Sequence, residues 1–487
     1  MMPSLSVLNE SEIAAICNAA RSILLKKGLR FTVPEVLRVF RRNGFEIADC
    51  NVVRITPDQL ESALRTVPKR FVRRGASPNR DVPLGTGVTH FAVGSLPIYV
   101  IEREPAIRRR PAKLEDLKRF TQLSEALDAF TIGNAVVQPQ EIPAEVMHVL
   151  WNRTSSVRMT KPACCWYGTS WETSEEGLEV LRLAAGGLEQ LRAQKRWAIT
   201  ICPDSALQWG KSAIGAMVMA RAEVPVEVLP MPFQGSSHPV TTAGALVQSA
   251  AEVLGIVVLT QLVRPGCPAL YAASYGGIMD MATGTHAFGT PESALFGAAS
   301  TAVGRAFGLP TDMMQGTSDS KLPDAQAAME KAMVLLMPAL AGADCITQAG
   351  ALLDFALSAS YEQLVTDSEI VHYVQRIARG VLVDEATLAQ QEIMNLPFGG
   401  HFIASPHTLQ QFRKEFYFTK LMDRHPWQVW EDGGARDLAE RARLRAEELL
   451  AKAKPVQGIS AERQQAVDAF VAEICRKHGV NPEPLLF

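Results

Sequence analysis

Aromatic side chains recur in this chain where short apolar runs give way to polar turns. Trp166 and Tyr167 follow one such run, Phe233 and Gln234 another and Tyr275 a third, while Tyr99 sits in a run nearer the amino terminus. Only 7% of the residues are aromatic, so their recurrence at these points is a concentration. Rings gathered round a small space suit a cation that has no proton to donate. Each face within about 6 Å then contributes roughly 0.5–2 kcal/mol through the ring quadrupole. Ordinary packing is the alternative role for each ring taken singly.

A second group is polar. The apolar run Leu309 to Met314 leads into a Gly-containing corner, Gln315 to Lys321, and then into a long Ala/Met/Leu-rich helix. Asp319 or Ser320 is expected to cap that helix, with Pro323 in its first turn and Asp324 favoured by the helix dipole. As chemistry, Asp319 would offset a cation, while Gln315, Ser318 and Gln348 would orient a carboxylate or a water. Arg305 and Lys321 are further carboxylate partners, or plain surface groups. His286, in the loop Met281 to Thr290, is the first histidine to test as a base; His238 and His401 are others, and loop hydrogen bonding is the alternative for all three. Met279, Met281, Met313 and Met314 offer a compliant apolar lining or simple core. Gly276-Gly277 carries no phosphate-loop motif.

Cysteines offer a competing chemistry. Cys164-Cys165, Cys202, Cys267 and Cys345 lie on or beside expected strands. A thiolate set holding zinc would activate an incoming thiol for methyl transfer. No Gly-Gly precedes the adjacent pair, however, and strand alternation directs its two members to opposite sides. Buried inert thiols are the preferred reading, and no metal site is expected.

These residues need elements to hold them. From about residue 113 to residue 423 apolar strands alternate with amphipathic helices every thirty to forty residues. Expected strands are 130–137, 163–168, 197–202, 226–231, 269–274, 309–314 and 344–347, with 400–404 as the eighth. Expected helices include 175–183, 212–221, 243–263, 292–307 and 325–341. Such alternation with crossover lengths implies parallel strands, and seven or eight repeats favour an α/β (β/α)8 TIM-like barrel whose site lies at the carboxyl ends of its strands. Before it, residues 1–110 read as a helical and mixed prelude: helices capped by Ser11, starting at Thr32, and capped by Thr56, then a hairpin pairing 88–93 with 98–101. The barrel occupies 111–425, and 426–487 form a helical extension with helices over 436–453 and 460–478. The helix 325–341 is apolar nearly all round, which suggests burial on a second side against another copy of the chain. The run Arg108 to Arg110 is either a solvated surface or a docking patch for an acidic partner.

Composition narrows the class. Lys and Arg number 49 against 51 Asp and Glu, a formal charge of -2, which lacks the basic excess of a nucleic-acid binder. No run of about 18 uncharged apolar residues is present, and Met1 to Glu12 lack a signal-peptide pattern, so no membrane partner is expected. Eight scattered cysteines in a chain of 487 residues point to a reducing, cytoplasmic setting.

Gly316-Thr317-Ser318-Asp319-Ser320-Lys321, followed by Asp324-Ala325-Gln326 and Glu330-Lys331, resembles the signature of the trimethylamine methyltransferase family. Ala339 to Ala343, Gln348-Ala349-Gly350 and Ser360 to Val365 fit the same pattern in the same order, and the resemblance extends to about Trp430. It implies a (β/α) barrel that moves a methyl group from an amine to the cobalt of a corrinoid protein. Some members carry pyrrolysine; this chain has only standard residues and so resembles the branch acting on quaternary amines such as glycine betaine. The corrinoid (a cobalamin) would belong to a cognate partner protein, leaving no tightly bound cofactor here. A betaine-binding or corrinoid-docking barrel without turnover is the non-enzymatic alternative.

Overall fold

In the computed structural model of the chain, residues 5–103, 106–168, 170–204, 206–274 and 276–487 are described. The fold is mixed α/β. Its centre is a set of short parallel strands built from small, branched and apolar residues. Ala163–Cys165 pairs with Trp197–Ile201, which pairs with Val226–Val228, which pairs with Ala269–Tyr271. Isolated parallel bridges continue the set on either side, from Gly133 to Ala163 and from Tyr271 to Thr311. Asp312 bridges Cys345, the strand Cys345–Gly350 pairs in parallel with His90–Val93, and Ala92 bridges Ile132.

The run 88–93 does not form a hairpin with 98–101. His90–Val93 lies beside Cys345–Gly350, whereas Tyr99–Glu102 pairs antiparallel with Arg108–Pro111 and parallel with Ser358–Ala359. Gly94 is what lets the first strand lie so close, since a Cβ there would sit 2.4 Å from the Leu352 side chain. The segment 400–404 is no strand; Phe402 and Ile403 are exposed in an irregular turn, and the edge expected for it is filled by His90–Val93. The expected strands at 130–137 and 309–314 shrink to bridge pairs at Ile132, Gly133, Thr311 and Asp312.

Helices cover the strands. Trp171–Ala185 starts at a Ser170 capping box and stops at Gly186, whose φ of 88° provides the left-handed cap. Ser212–Arg221, Thr242–Val263, Pro291–Ala306, Ala325–Leu340 and Tyr361–Ala378 follow in turn. The cap of Ala325–Leu340 is Asp324, not Asp319 or Ser320, and Asn9 rather than Ser11 caps the helix Glu10–Lys26. Thr56 caps Pro57–Thr66 as expected. Among the described residues, Thr242–Val263 is the one helix long and apolar enough to cross a membrane, and 83% of its most apolar window is buried within the fold. It packs on Glu10–Lys26, Pro57–Thr66, Ser212–Arg221 and Pro291–Ala306.

Strand alternation sorts the inner residues into layers. Ala92, Ile132, Cys164, Leu270 and Cys345 form one apolar cluster with Val82 and Leu84; Leu229, Ala272 and Met314 form another with Cys202 and Met231. Cys165, one residue on from Cys164, belongs to the large outer core under the helices. The carboxyl-end layer bounds the site described next.

Candidate functional site

A cavity of about 210 Å³ lies at the carboxyl ends of the parallel strands. Most wall segments follow a strand: Ser95 and Leu96 after His90–Val93, Trp166 and Tyr167 after Ala163–Cys165, Cys202 after Trp197–Ile201, Leu229 and Met231 after Val226–Val228. Trp151, Asn134, Met314 and Gln348 complete the rim, with Cys164, Cys165, Thr200 and Thr347 on the strands themselves. The volume is below the roughly 300–1,000 Å³ of sites for drug-sized ligands, which fits a small molecule.

The aromatic wall is built with care for position. Asn152, fully buried on the helix Ala144–Val157, accepts from Trp166 N at 2.7 Å and donates to Trp166 O at 2.9 Å and Gly177 O at 3.2 Å. Trp151, one residue earlier on that helix, meets Trp166 edge-on with ring centroids 5.4 Å apart. Tyr167 fits because residue 215 is glycine; a Cβ there would lie 2.4 Å from the Tyr167 ring. Burial pushes the Tyr167 phenol up and the Cys202 thiol up to about 12, so both stay protonated near neutrality. Asn134 is buried, and its Oδ1 has no hydrogen-bond partner among the described residues. A larger, more open hollow of about 520 Å³, lined in part by Gly87 to Thr89 and Ala339 to Gly342, lies where chain segments enter strands, away from the aromatic wall.

Of the residues singled out by sequence, Trp166, Tyr167, Gln348, Met314, Cys164, Cys165 and Cys202 come together on this cavity. The Gln348 amide is engaged there: Oε1 accepts from Ser95 N at 2.8 Å and Nε2 donates to Ser95 Oγ at 3.0 Å, with the backbone at φ 69°. Such strain in a non-glycine residue is held only where surrounding contacts enforce it. Tyr275 lies outside the described residues.

The others stand elsewhere. Tyr99 is on the antiparallel strand Tyr99–Glu102 with the Arg109 guanidinium 4.2 Å from its ring centroid. Phe233 stacks on His286 at 4.0 Å and meets Phe288 edge-on. Asp319 accepts from Phe288 N at 2.8 Å and Gly289 N at 3.0 Å, and Ser318 Oγ donates to Glu330 Oε2 at 2.6 Å. Burial raises the Asp319 carboxyl above the ordinary carboxylate range, opposed by those two N–H groups. Gln315 donates to Ser293 O and packs beside Gly297. The polar corner thus ties the loop 286–289 to the helix Ala325–Leu340. Arg108 and Arg110 pair with Glu102, Arg110 also with Asp116, and Arg109 with Asp354, so the arginine run is matched within the chain.

Sequence reasoning missed Trp151, Asn134, Thr200 and Thr347. Thr347 does sit at the end of an expected strand, the signal used for the others; Asn134 and Thr200 lie inside expected strands, and Trp151 is mid-helix and carries no such signal. Cys164, Cys165 and Cys202 border the cavity, whereas Cys267 and Cys345 do not. Cys164 and Cys165 belong to different apolar clusters, and among the described residues no group of three His, Cys, Asp or Glu side chains could hold a metal ion.

A family model described as trimethylamine methyltransferase (MTTB) matches residues 1–479. The chain belongs to the trimethylamine methyltransferase family. This methyltransferase is 28% identical over 477 residues to a glycine betaine methyltransferase of Desulfitobacterium hafniense strain Y51, covering 97% of this chain and 98% of that one. It is 32% identical over 466 residues to trimethylamine methyltransferase MttB of Desulfitobacterium hafniense strain DSM 10664 / DCB-2, with 93% and 90% covered. With the Methanosarcina barkeri trimethylamine methyltransferase MttB it shares 30% over 482 residues, 96% of this chain and 94% of the relative.

Proposed function

We propose that this methyltransferase takes a methyl group from a small quaternary amine of the glycine betaine type and passes it to the Co(I) of a separate corrinoid protein. The observation that carries the reading is the aromatic-walled cavity itself: Trp151, Trp166 and Tyr167 bound a space of about 210 Å³ whose other walls are largely apolar. A quaternary nitrogen has no N–H, so rings and shape are what recognise it. The C–N bonding pair leaves with nitrogen, which departs as a neutral tertiary amine, and no proton has to be delivered to it. That agrees with walls that hold no His, Asp, Glu or Lys among the described residues. The chain's work is to hold one methyl in line and exclude water.

The succession of parallel pairings from Ile132 round to His90–Val93 and back supports a (β/α)8 barrel with the substrate at its carboxyl face. A homo-oligomer is supported by Met329 and Met333, exposed on Ala325–Leu340, and by the stretch 381–430. There four short helices bury none of their side chains, and Phe398, Ile403 and Trp427 are open to solvent.

Calorimetric titration with glycine betaine, proline betaine, carnitine and trimethylamine tests the substrate class. Saturable binding of a quaternary amine that is lost in Trp166→Ala is expected; binding unaffected by that change would place the ligand away from this wall.

A further inference from the structure

The floor of the cavity is hydroxylic, and behind each hydroxyl stands a buried carboxyl group. Thr200 Oγ1 donates to Glu227 Oε2 at 2.7 Å, and Thr347 donates to Asp312 Oδ1 from its hydroxyl at 3.0 Å and from its N–H at 3.1 Å. Both threonines reach the cavity; Glu227 and Asp312 lie behind them and are 0% exposed. Because the hydroxyl protons point away, the threonine oxygens present lone pairs to whatever fills the space.

The charges behind this floor do not balance. One guanidinium, the fully buried Arg73, faces the two carboxyl groups, with Nη1 3.3 Å from Glu227 Oε1. The other titratable neighbours are Cys164, Cys165 and Cys345 on the flanking strands, with His90 and Asp344 farther below. Burial raises all three thiols and lowers His90, so these four are uncharged near neutrality. Asp344 is held by Thr311 N and Oγ1 and by Gly85 N. Asp312 Oδ2 has no hydrogen-bond partner among the described residues. Two ionised carboxylates against one cation would leave a net negative charge away from water, a costly state that a retained proton removes.

We propose that Glu227 and Asp312 share one proton while the cavity is empty, and that entry of a quaternary ammonium above the two threonines drives that proton out. The pair then serves as the counter-charge of the bound cation, acting through Thr200 and Thr347. Both carboxyl groups are raised above their ordinary range, first by burial and, at Asp312, then by the neighbouring Glu227. Glu227 and Asp312 are positioning residues; they touch the threonines, not the substrate. The inference rests on the quaternary-amine reading above.

Glycine betaine is titrated calorimetrically at one pH in buffers of different ionisation enthalpy, beside its uncharged-centre isostere 3,3-dimethylbutanoate. Release of close to one proton per glycine betaine is expected, with affinity rising up to tenfold per pH unit below the pair's titration. The isostere should release none, and neither Asp312→Asn nor Glu227→Gln should release any on binding glycine betaine. The proton count in the unaltered protein decides the matter even if a variant folds poorly. Binding of glycine betaine without proton release, or with release retained in Asp312→Asn, overturns the inference and leaves the substrate reading standing. Failure of every quaternary amine in the panel to bind sinks the substrate reading, and this inference with it.

Discussion

Replacing Asn152 by Leu removes a side chain that touches no part of the cavity yet fixes its main aromatic wall. Three hydrogen bonds go at once: from Trp166 N at 2.7 Å, to Trp166 O at 2.9 Å and to Gly177 O at 3.2 Å. Leucine keeps asparagine's branched shape but is larger, so at this fully buried place some overpacking adds to the loss of the hydrogen bonds. Each buried backbone group left unpaired costs about 1–3 kcal/mol. Trp166 is half-buried and water can reach it in part, so a total of about 2–4 kcal/mol is expected. Part of this lowers the melting temperature and part frees the loop that carries Trp166. If half falls on the loop, glycine betaine binding weakens by roughly 5–30-fold, at a factor of ten per 1.4 kcal/mol. Asn152→Asp separates the bonds, because it keeps the acceptor for Trp166 N and loses both donors. Calorimetric titration and thermal unfolding of the two variants give the comparison. Unchanged affinity and melting temperature in Asn152→Leu would refute the idea that Asn152 sets the ring.

Three further outcomes are expected. Gly215→Ala puts a Cβ 2.4 Å from the Tyr167 ring, so that ring must move; ligand affinity should fall several-fold in titration while the far-ultraviolet circular dichroism stays unchanged. The Asp116 carboxyl is held below the ordinary range despite burial, by Arg110, Tyr361 and Lys113 N. Its stabilisation is therefore full above the ordinary carboxylate pKa and is lost as pH falls through the depressed value. Asp116→Ala should cost roughly 2–4 kcal/mol at pH 7 in denaturant unfolding, and the deficit should shrink in that acid window. Light scattering should give a mass of two or more chains, and charged residues at Phe398 and Ile403 should reduce it to one.

Much of the architecture was legible because helices and parallel strands announce themselves by period. Ser212–Arg221 and Thr242–Val263 lie where apolar continuity places them. His90–Val93 was misread because a short apolar run looks the same whether its partner is seven residues away or, as here, some 255. For the site, the rule that chemistry gathers at strand ends located Trp166, Tyr167 and Gln348. It also drew in Ser318 and Asp319, whose polarity serves the neighbouring loop and helix. A polar corner that satisfies its own backbone and one that faces a ligand have the same composition; only the direction of the side chains separates them. Trp151 and Asn152 were invisible for the converse reason, since a mid-helix position gives no hint of which loop it will meet.

The central claim is tested most directly by mixing the protein with glycine betaine and a Co(I) corrinoid protein under anaerobic conditions, following Co(I) absorbance and dimethylglycine together. The account predicts one dimethylglycine formed per Co(I) consumed, and neither change with Trp166→Ala. No dimethylglycine from the intact protein, with no other quaternary amine demethylated while an added thiol is methylated instead, would contradict it.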